Sequence, residues 1–127
     1  MAQMQTPLRK IRGLGSTKSG TSHFWAVRVS SVALLPLSLF VITLLISLAG
    51  SDYAETRETL ARPLVWVPLA LFLVISLEHM RLGMQEVLSD YIHDDLLKII
   101  LMMLNGFFVV LVGATCVFSL LKIAFGG

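Results

Sequence analysis

The sequence has few of the residues that build a soluble redox enzyme. Only 14% of its 127 residues are charged, and it contains one cysteine and four prolines. A single cysteine excludes an intrachain disulfide and any cluster of thiolates that could hold an iron–sulfur centre. The sequence also has no Gly-rich dinucleotide motif. The chain therefore lacks the residues with which a protein binds a flavin dinucleotide or an iron–sulfur cluster on its own.

Apolar residues make up most of what is present. The chain is 56% hydrophobic and its mean hydropathy is +0.83. Val29–Ala49 and Ile99–Leu121 carry no charged residue, and each run is long enough to cross a bilayer as a helix. Leu64–Leu77 is uncharged for only 14 residues, so it spans only if it continues to about Leu88. The polar residues in that extension must then contact protein, cofactor or headgroups, because lipid would not satisfy them.

These patterns predict an all-α integral membrane protein with three transmembrane helices. We expect an N-terminal segment, residues 1–28, and a three-helix membrane anchor, residues 29–127. The helices are predicted at about 29–50, 63–89 and 98–122. Seven of the ten Lys and Arg residues lie in the N-terminal segment and the second loop. The positive-inside rule therefore predicts that the N-terminus lies inside, in the cytoplasm or matrix, and the C-terminus outside.

The N-terminal segment has two interpretations. It is rich in Arg, Ser and Thr and has no acidic residue, as in a mitochondrial presequence. Gly13, Gly15 and Gly20 would interrupt the amphipathic helix of such a peptide, and they favour an ordered loop on a partner surface. We expect the positive charge to set the topology, with the lipid bilayer and protein as partners and no nucleic acid.

The second span carries a distinctive polar motif, HxxxGMxxVLxDY, from His79 to Tyr91. An ionisable ring inside a membrane indicates a functional site. His79 is either hydrogen-bonded across a helix interface or an axial ligand of haem iron. Gly83 lies roughly 40° round the helix from His79, where it leaves space for a macrocycle. Asp90 lies roughly 16 Å further along the axis. Together with Tyr91, it is either part of an interfacial belt or part of a quinone headgroup site.

This motif, the three spans and the GxxHFWxxR stretch ending at Arg28 resemble the small hydrophobic membrane anchor of bacterial succinate dehydrogenase, respiratory complex II. The resemblance implies that His79 co-ligates haem b, with the other axial histidine supplied by the cytochrome b subunit. It implies that Tyr91 binds ubiquinone beside the acidic Asp90, and that Arg28 lies near a haem propionate. Gly83 would then pack against the haem.

The resemblance also implies what the partner subunits supply. FAD and the iron–sulfur clusters belong to the flavoprotein and iron–sulfur subunits, so this chain is expected to be a non-flavin subunit that is not catalytic alone. The longer N-terminus and the charged residues Glu78, Arg81 and Glu86 look closer to alphaproteobacterial or mitochondrial-type versions. The expected location is the bacterial inner membrane, with the mitochondrial inner membrane as the alternative.

Two other functions stay open at this point. An anchor of a quinol:fumarate reductase has the same architecture and runs the reaction in reverse. A haem-free transport or structural subunit could use His79 and Asp90 as a proton relay.

Overall fold

The computed structural model describes residues 6–13 and 19–126, and every regular element among them is a helix. The elements are α1 (Pro7–Arg12), α2 (Ser19–Leu48), α3 (Tyr53–Ala61), α4 (Pro63–Tyr91) and α5 (Asp95–Ala124). Three of them, α2, α4 and α5, are long and apolar enough to cross a membrane. The predicted all-α fold with three membrane-spanning helices is confirmed. The inside location of the N-terminus stays a prediction, and Gly127, predicted outside, lies beyond the described residues.

Helices are the expected form because hydrocarbon offers no partner for backbone N–H and C=O groups, and a helix pairs them internally. The ends follow the local sequence. Gly50 ends the turn after α2 at φ +90°, a left-handed conformation that glycine adopts without strain. Pro63 occupies the first turn of α4, where its missing N–H is not needed. Asp94 caps α5 by accepting the Leu97 N–H at 2.7 Å.

The first long helix begins earlier than predicted. It starts at Ser19 and not near residue 29, because hydropathy reports where a chain enters lipid and a helix can continue into the polar interface. Gly13 follows α1, whereas Gly20 lies in the first turn of α2. Gly20 is therefore not part of a loop, and Gly15 lies outside the described residues.

The short helix α3 was not predicted. Asp52 caps it by accepting the Glu55 N–H at 2.8 Å, and Arg62 contacts Glu58 at 3.3 Å. An aspartate followed three residues later by a glutamate is a helix-start signal, so the sequence did contain the information.

The helix α4 is central, with α2 and α5 packed against it and both antiparallel to it. Asn105 on α5 donates a hydrogen bond to the Arg81 carbonyl oxygen at 3.0 Å. Gly113 lies against Leu77, whose Cδ1 would be 3.3 Å from a Cβ at that position. Small residues and interhelical hydrogen bonds hold membrane helices together, because apolar contacts alone give little advantage over lipid.

Few side chains of the described residues are buried. They are Leu44, Leu82, Leu88, Leu120 and one polar residue, Ser30. Large apolar side chains are exposed along all three long helices, which leaves most of the surface to lipid or to other subunits.

Candidate functional site

His79 lies where α4 packs against α2, and it contacts a buried hydroxyl there. Its Nδ1 is 2.8 Å from Oγ of Ser30. The Ser30 hydroxyl donates to the Val27 carbonyl oxygen at 2.9 Å, and Ser30 is only 9% exposed. The ring is thus hydrogen-bonded across a helix interface, the first of the two roles that the sequence allowed, and this contact uses one of its two nitrogens.

A second polar contact joins the same two helices. His23 Nε2 lies 2.9 Å from Oε1 of Glu86, with the two side chains 32% and 57% exposed. His23 precedes Ser30 by seven residues and Glu86 follows His79 by seven, which is about two helical turns, or roughly 10.5 Å, on both antiparallel helices. The two contacts therefore lie in register along one interface.

Sequence reasoning missed Ser30, His23 and Glu86 as interface residues. The signal was a matched spacing of seven residues between two polar side chains on each helix. Seven residues are about two turns, so the two polar side chains of each helix lie on nearly the same face. The spacing predicts contacts only once it is known that α2 packs against α4.

The other ring nitrogen of His79 is available. Among residues 6–13 and 19–126, no hydrogen bond to Nε2 is formed. A Cβ added at Gly83 would meet nothing within 4 Å, so the α4 surface one turn beyond His79 is open. In that same part of the chain, no three His, Cys, Asp or Glu side chains converge as a metal site. A neutral imidazole with one nitrogen unengaged is chemically able to bind a metal such as haem iron.

Charges flank His79 on its own helix, and they are paired. Arg81 Nε donates to Oε2 of Glu78 at 2.8 Å, and a second guanidinium nitrogen contacts Oε1 of the same carboxylate. A two-point contact of this kind lets a carboxylate and a guanidinium coexist at membrane depth.

Arg28 lies on α2, on the N-terminal side of Ser30. Its guanidinium carbon is 4.4 Å from the centre of the Phe24 ring. Arg28 lines an apolar cleft of ≈ 330 Å³ that shares Val29 and Ala33 with a cleft beside Ser30. The Arg28 guanidinium therefore borders an apolar surface that adjoins the cleft beside Ser30.

Asp90 and Tyr91 do not line the same cleft. Asp90 lies in a polar cleft of ≈ 590 Å³ with His23 and Glu86, and with Gln85, Ser89 and Met102. Tyr91 is the last residue of α4, roughly 100° further round the helix, and it is 76% exposed. The structure brings Asp90 next to the His23–Glu86 contact and leaves the Tyr91 side chain on the open surface.

Known proteins resemble this chain over most of its length. The profile of a family described as succinate dehydrogenase/fumarate reductase transmembrane subunit matches residues 2–118. A succinate dehydrogenase hydrophobic membrane anchor subunit from Rickettsia bellii is 34% identical over 89 residues, 70% of this chain and 71% of the relative. The subunit of that name from Paracoccus denitrificans is 29% identical over 123 residues, 95% of this chain and 93% of the relative. No solved structure gives a significant match.

Proposed function

The chain belongs to the succinate dehydrogenase/fumarate reductase transmembrane subunit family, and on that premise we propose that it anchors a succinate:ubiquinone oxidoreductase in the membrane, co-ligates haem b and forms part of the ubiquinone reduction site. The apolar surfaces of α2, α4 and α5 hold the assembly in the bilayer. The flavoprotein and iron–sulfur subunits supply FAD and the iron–sulfur clusters.

The contact between His79 and Ser30 carries the haem assignment. Iron binds an imidazole nitrogen that has no hydrogen, and the other nitrogen then keeps its hydrogen and needs an acceptor. Ser30 Oγ lies 2.8 Å from Nδ1 and supplies that acceptor, which leaves Nε2 as the ligand atom. Because His79 is the one histidine in this sequence that lies deep within a predicted span, the cytochrome b subunit would supply the other histidine ligand.

Other side chains support the same site. Gly83 leaves room beside His79 for a planar ring, and the Arg28 guanidinium is suited to an anionic propionate. A bound haem b supplies reversible one-electron chemistry.

The quinone site is proposed at the inner end of α4. Tyr91 is exposed there, so its hydroxyl can donate to a quinone carbonyl oxygen while the apolar tail stays in lipid. Asp90 lies in a polar cleft with His23 and Glu86, and its carboxylate can take part in delivering protons to the reduced quinone. Since Tyr91 and Asp90 line different surfaces, partner subunits complete the pocket around them.

The orientation follows from the same proposal. The Lys and Arg distribution predicts an inside N-terminus, and the last turns of α4 lie next to His23 near the start of α2, so α4 would end on the inner side. Tyr91 and Asp90 would then face the peripheral subunits. We assign the protein to the bacterial inner membrane, as expected of a chain whose relatives are bacterial.

Two alternatives are less well supported. A quinol:fumarate reductase anchor falls under the same family description, but the relatives compared are named for succinate dehydrogenase. A haem-free transport subunit has no counterpart among those names.

Purification of the assembly with a tag on this chain tests the proposal. We expect a co-purifying flavoprotein and a reduced b-type spectrum that weakens or shifts in His79→Ala. Cys116→Ala, a change in α5 away from the α2–α4 interface, is the matched control and should leave the spectrum unchanged. An assembled His79→Ala complex with an unaltered spectrum and midpoint potential would refute the ligand role.

A further inference from the structure

Ser30 has an unusual environment for this chain. It is the one polar residue that is buried among those the structure describes. A buried hydroxyl in an apolar interface is unfavourable unless both its donor and its acceptor capacities are used. Its partners are the His79 ring on α4 and a carbonyl of its own helix, that of Val27.

If His79 binds a metal through Nε2, the donor and the acceptor in each of these two hydrogen bonds are fixed. Nδ1 must then carry the hydrogen and donate it, so Ser30 must accept. The hydroxyl's single hydrogen remains available, and the Val27 carbonyl oxygen lies 2.9 Å away to receive it. Two consecutive hydrogen bonds, from Nδ1 to Oγ and from Oγ to the carbonyl oxygen, therefore satisfy the ring N–H, the hydroxyl and the carbonyl together.

We propose that Ser30 is a positioning residue for the haem ligand His79, an inference that rests on the proposed function. The hydrogen bond holds the ring in one rotation and keeps the hydrogen on Nδ1. It also increases the basicity of Nε2, as acceptors behind metal-bound histidines do. A more basic ligand stabilises ferric over ferrous iron, so Ser30 lowers the midpoint potential of the haem.

The neighbouring residue provides a matched control. Ser31 Oγ also donates to the Val27 carbonyl oxygen, at 2.7 Å, but Ser31 is exposed and does not contact His79. Ser31→Ala also removes a hydroxyl that donates to the Val27 carbonyl oxygen, but this hydroxyl does not contact His79. A difference between Ser30→Ala and Ser31→Ala thus reports the contact with His79.

The site has room for larger substitutions. An apolar cleft of ≈ 270 Å³ borders Ser30, lined by Ala26, Val29, Ala33, Val74, Ile75 and Glu78. Thr and Val at position 30 have almost the same shape and differ mainly in the hydroxyl, so the pair isolates the hydrogen bond from packing.

The experiment is a redox titration of the haem in the purified assembled complex, with the electron paramagnetic resonance signal of the ferric state recorded on the same samples. At a fixed ambient potential, Ser30→Ala and Ser30→Val should lower the ratio of oxidised to reduced haem by about three- to tenfold, where tenfold corresponds to about 59 mV for one electron. The ferric signal should shift with them as the ring rotates. Ser30→Thr and Ser31→Ala should match the unmodified complex.

Each other outcome counts against the proposal or against its premise. If Ser30→Ala behaves like Ser31→Ala in both measurements, the positioning role is refuted. If Ser30→Ala does not assemble, the comparison of Ser30→Thr with Ser30→Val decides. A haem with normal potential and ferric signal in Ser30→Thr but not in Ser30→Val supports the proposal. The same potential and signal in both variants overturn it. An unaltered haem in His79→Ala instead refutes the proposed ligand, so the two failures are distinguishable.

Discussion

Replacing Tyr91 with phenylalanine removes one hydroxyl and leaves the rest of the ring in place. The side chain is 76% exposed, so the change disturbs little packing within the chain, and a surface change of this kind usually alters stability by less than about 0.5 kcal/mol. If the phenol donates to a quinone carbonyl oxygen, the loss should be that of one neutral hydrogen bond, about 0.5–1.5 kcal/mol. At about 1.4 kcal/mol for each factor of ten, quinone affinity should fall roughly two- to tenfold.

The assay compares two electron acceptors in the same assembled complex. Succinate oxidation with a water-soluble dye that accepts electrons before the quinone should stay near normal, while the KM for ubiquinone rises. The chain offers a matched control in its other tyrosine. Tyr53 is 80% exposed at the start of α3, at the opposite end of the bundle, and Tyr53→Phe should change neither activity.

Two results would refute this reasoning. An unchanged quinone KM in Tyr91→Phe would leave the phenol as an interfacial anchor. Equal loss of dye and quinone activity would place its role in assembly.

Three further predictions concern packing and topology. Gly113→Leu should lower the resistance of the complex to detergent or heat, because overpacking against Leu77 costs about 1–3 kcal/mol; Gly106→Leu, where a Cβ meets nothing within 4 Å, should cost less. Glu86→Gln should change the stability of the complex by less than about 1 kcal/mol, since the His23–Glu86 contact is part-exposed. Reporter fusions on sealed vesicles should find the N-terminus inside and the C-terminus outside.

Each of these has a contrary result. Equal destabilisation by leucine at Gly113 and Gly106 would mean that the contact with Leu77 does not limit packing. Dissociation of the Glu86→Gln complex would make that contact a main tie between α2 and α4. Both termini on one side would mean that α4 does not cross.

Much of the fold was predictable because membrane insertion is decided locally. The composition of the uncharged run Val29–Ala49 is enough to predict a membrane span, since a single apolar segment in hydrocarbon can satisfy its backbone groups only as a helix. The start of α2 at Ser19 was not predictable in this way. Outside the hydrocarbon, water can satisfy the backbone, and hydropathy no longer distinguishes helix from loop.

The sequence by itself determined the all-α membrane class and picked out His79 as a polar group at membrane depth, because its cost in lipid depends on the residue and not on its neighbours. Only the tertiary structure decided what His79 contacts. The hydroxyl at Ser30 is 49 residues away in the chain, and no local pattern relates the two until α2 and α4 pack antiparallel. The same packing brought Asp90 into the cleft with His23 and left Tyr91 outside it. Residues adjacent in sequence point about 100° apart on a helix, so only the one that faces the neighbouring helix contacts it.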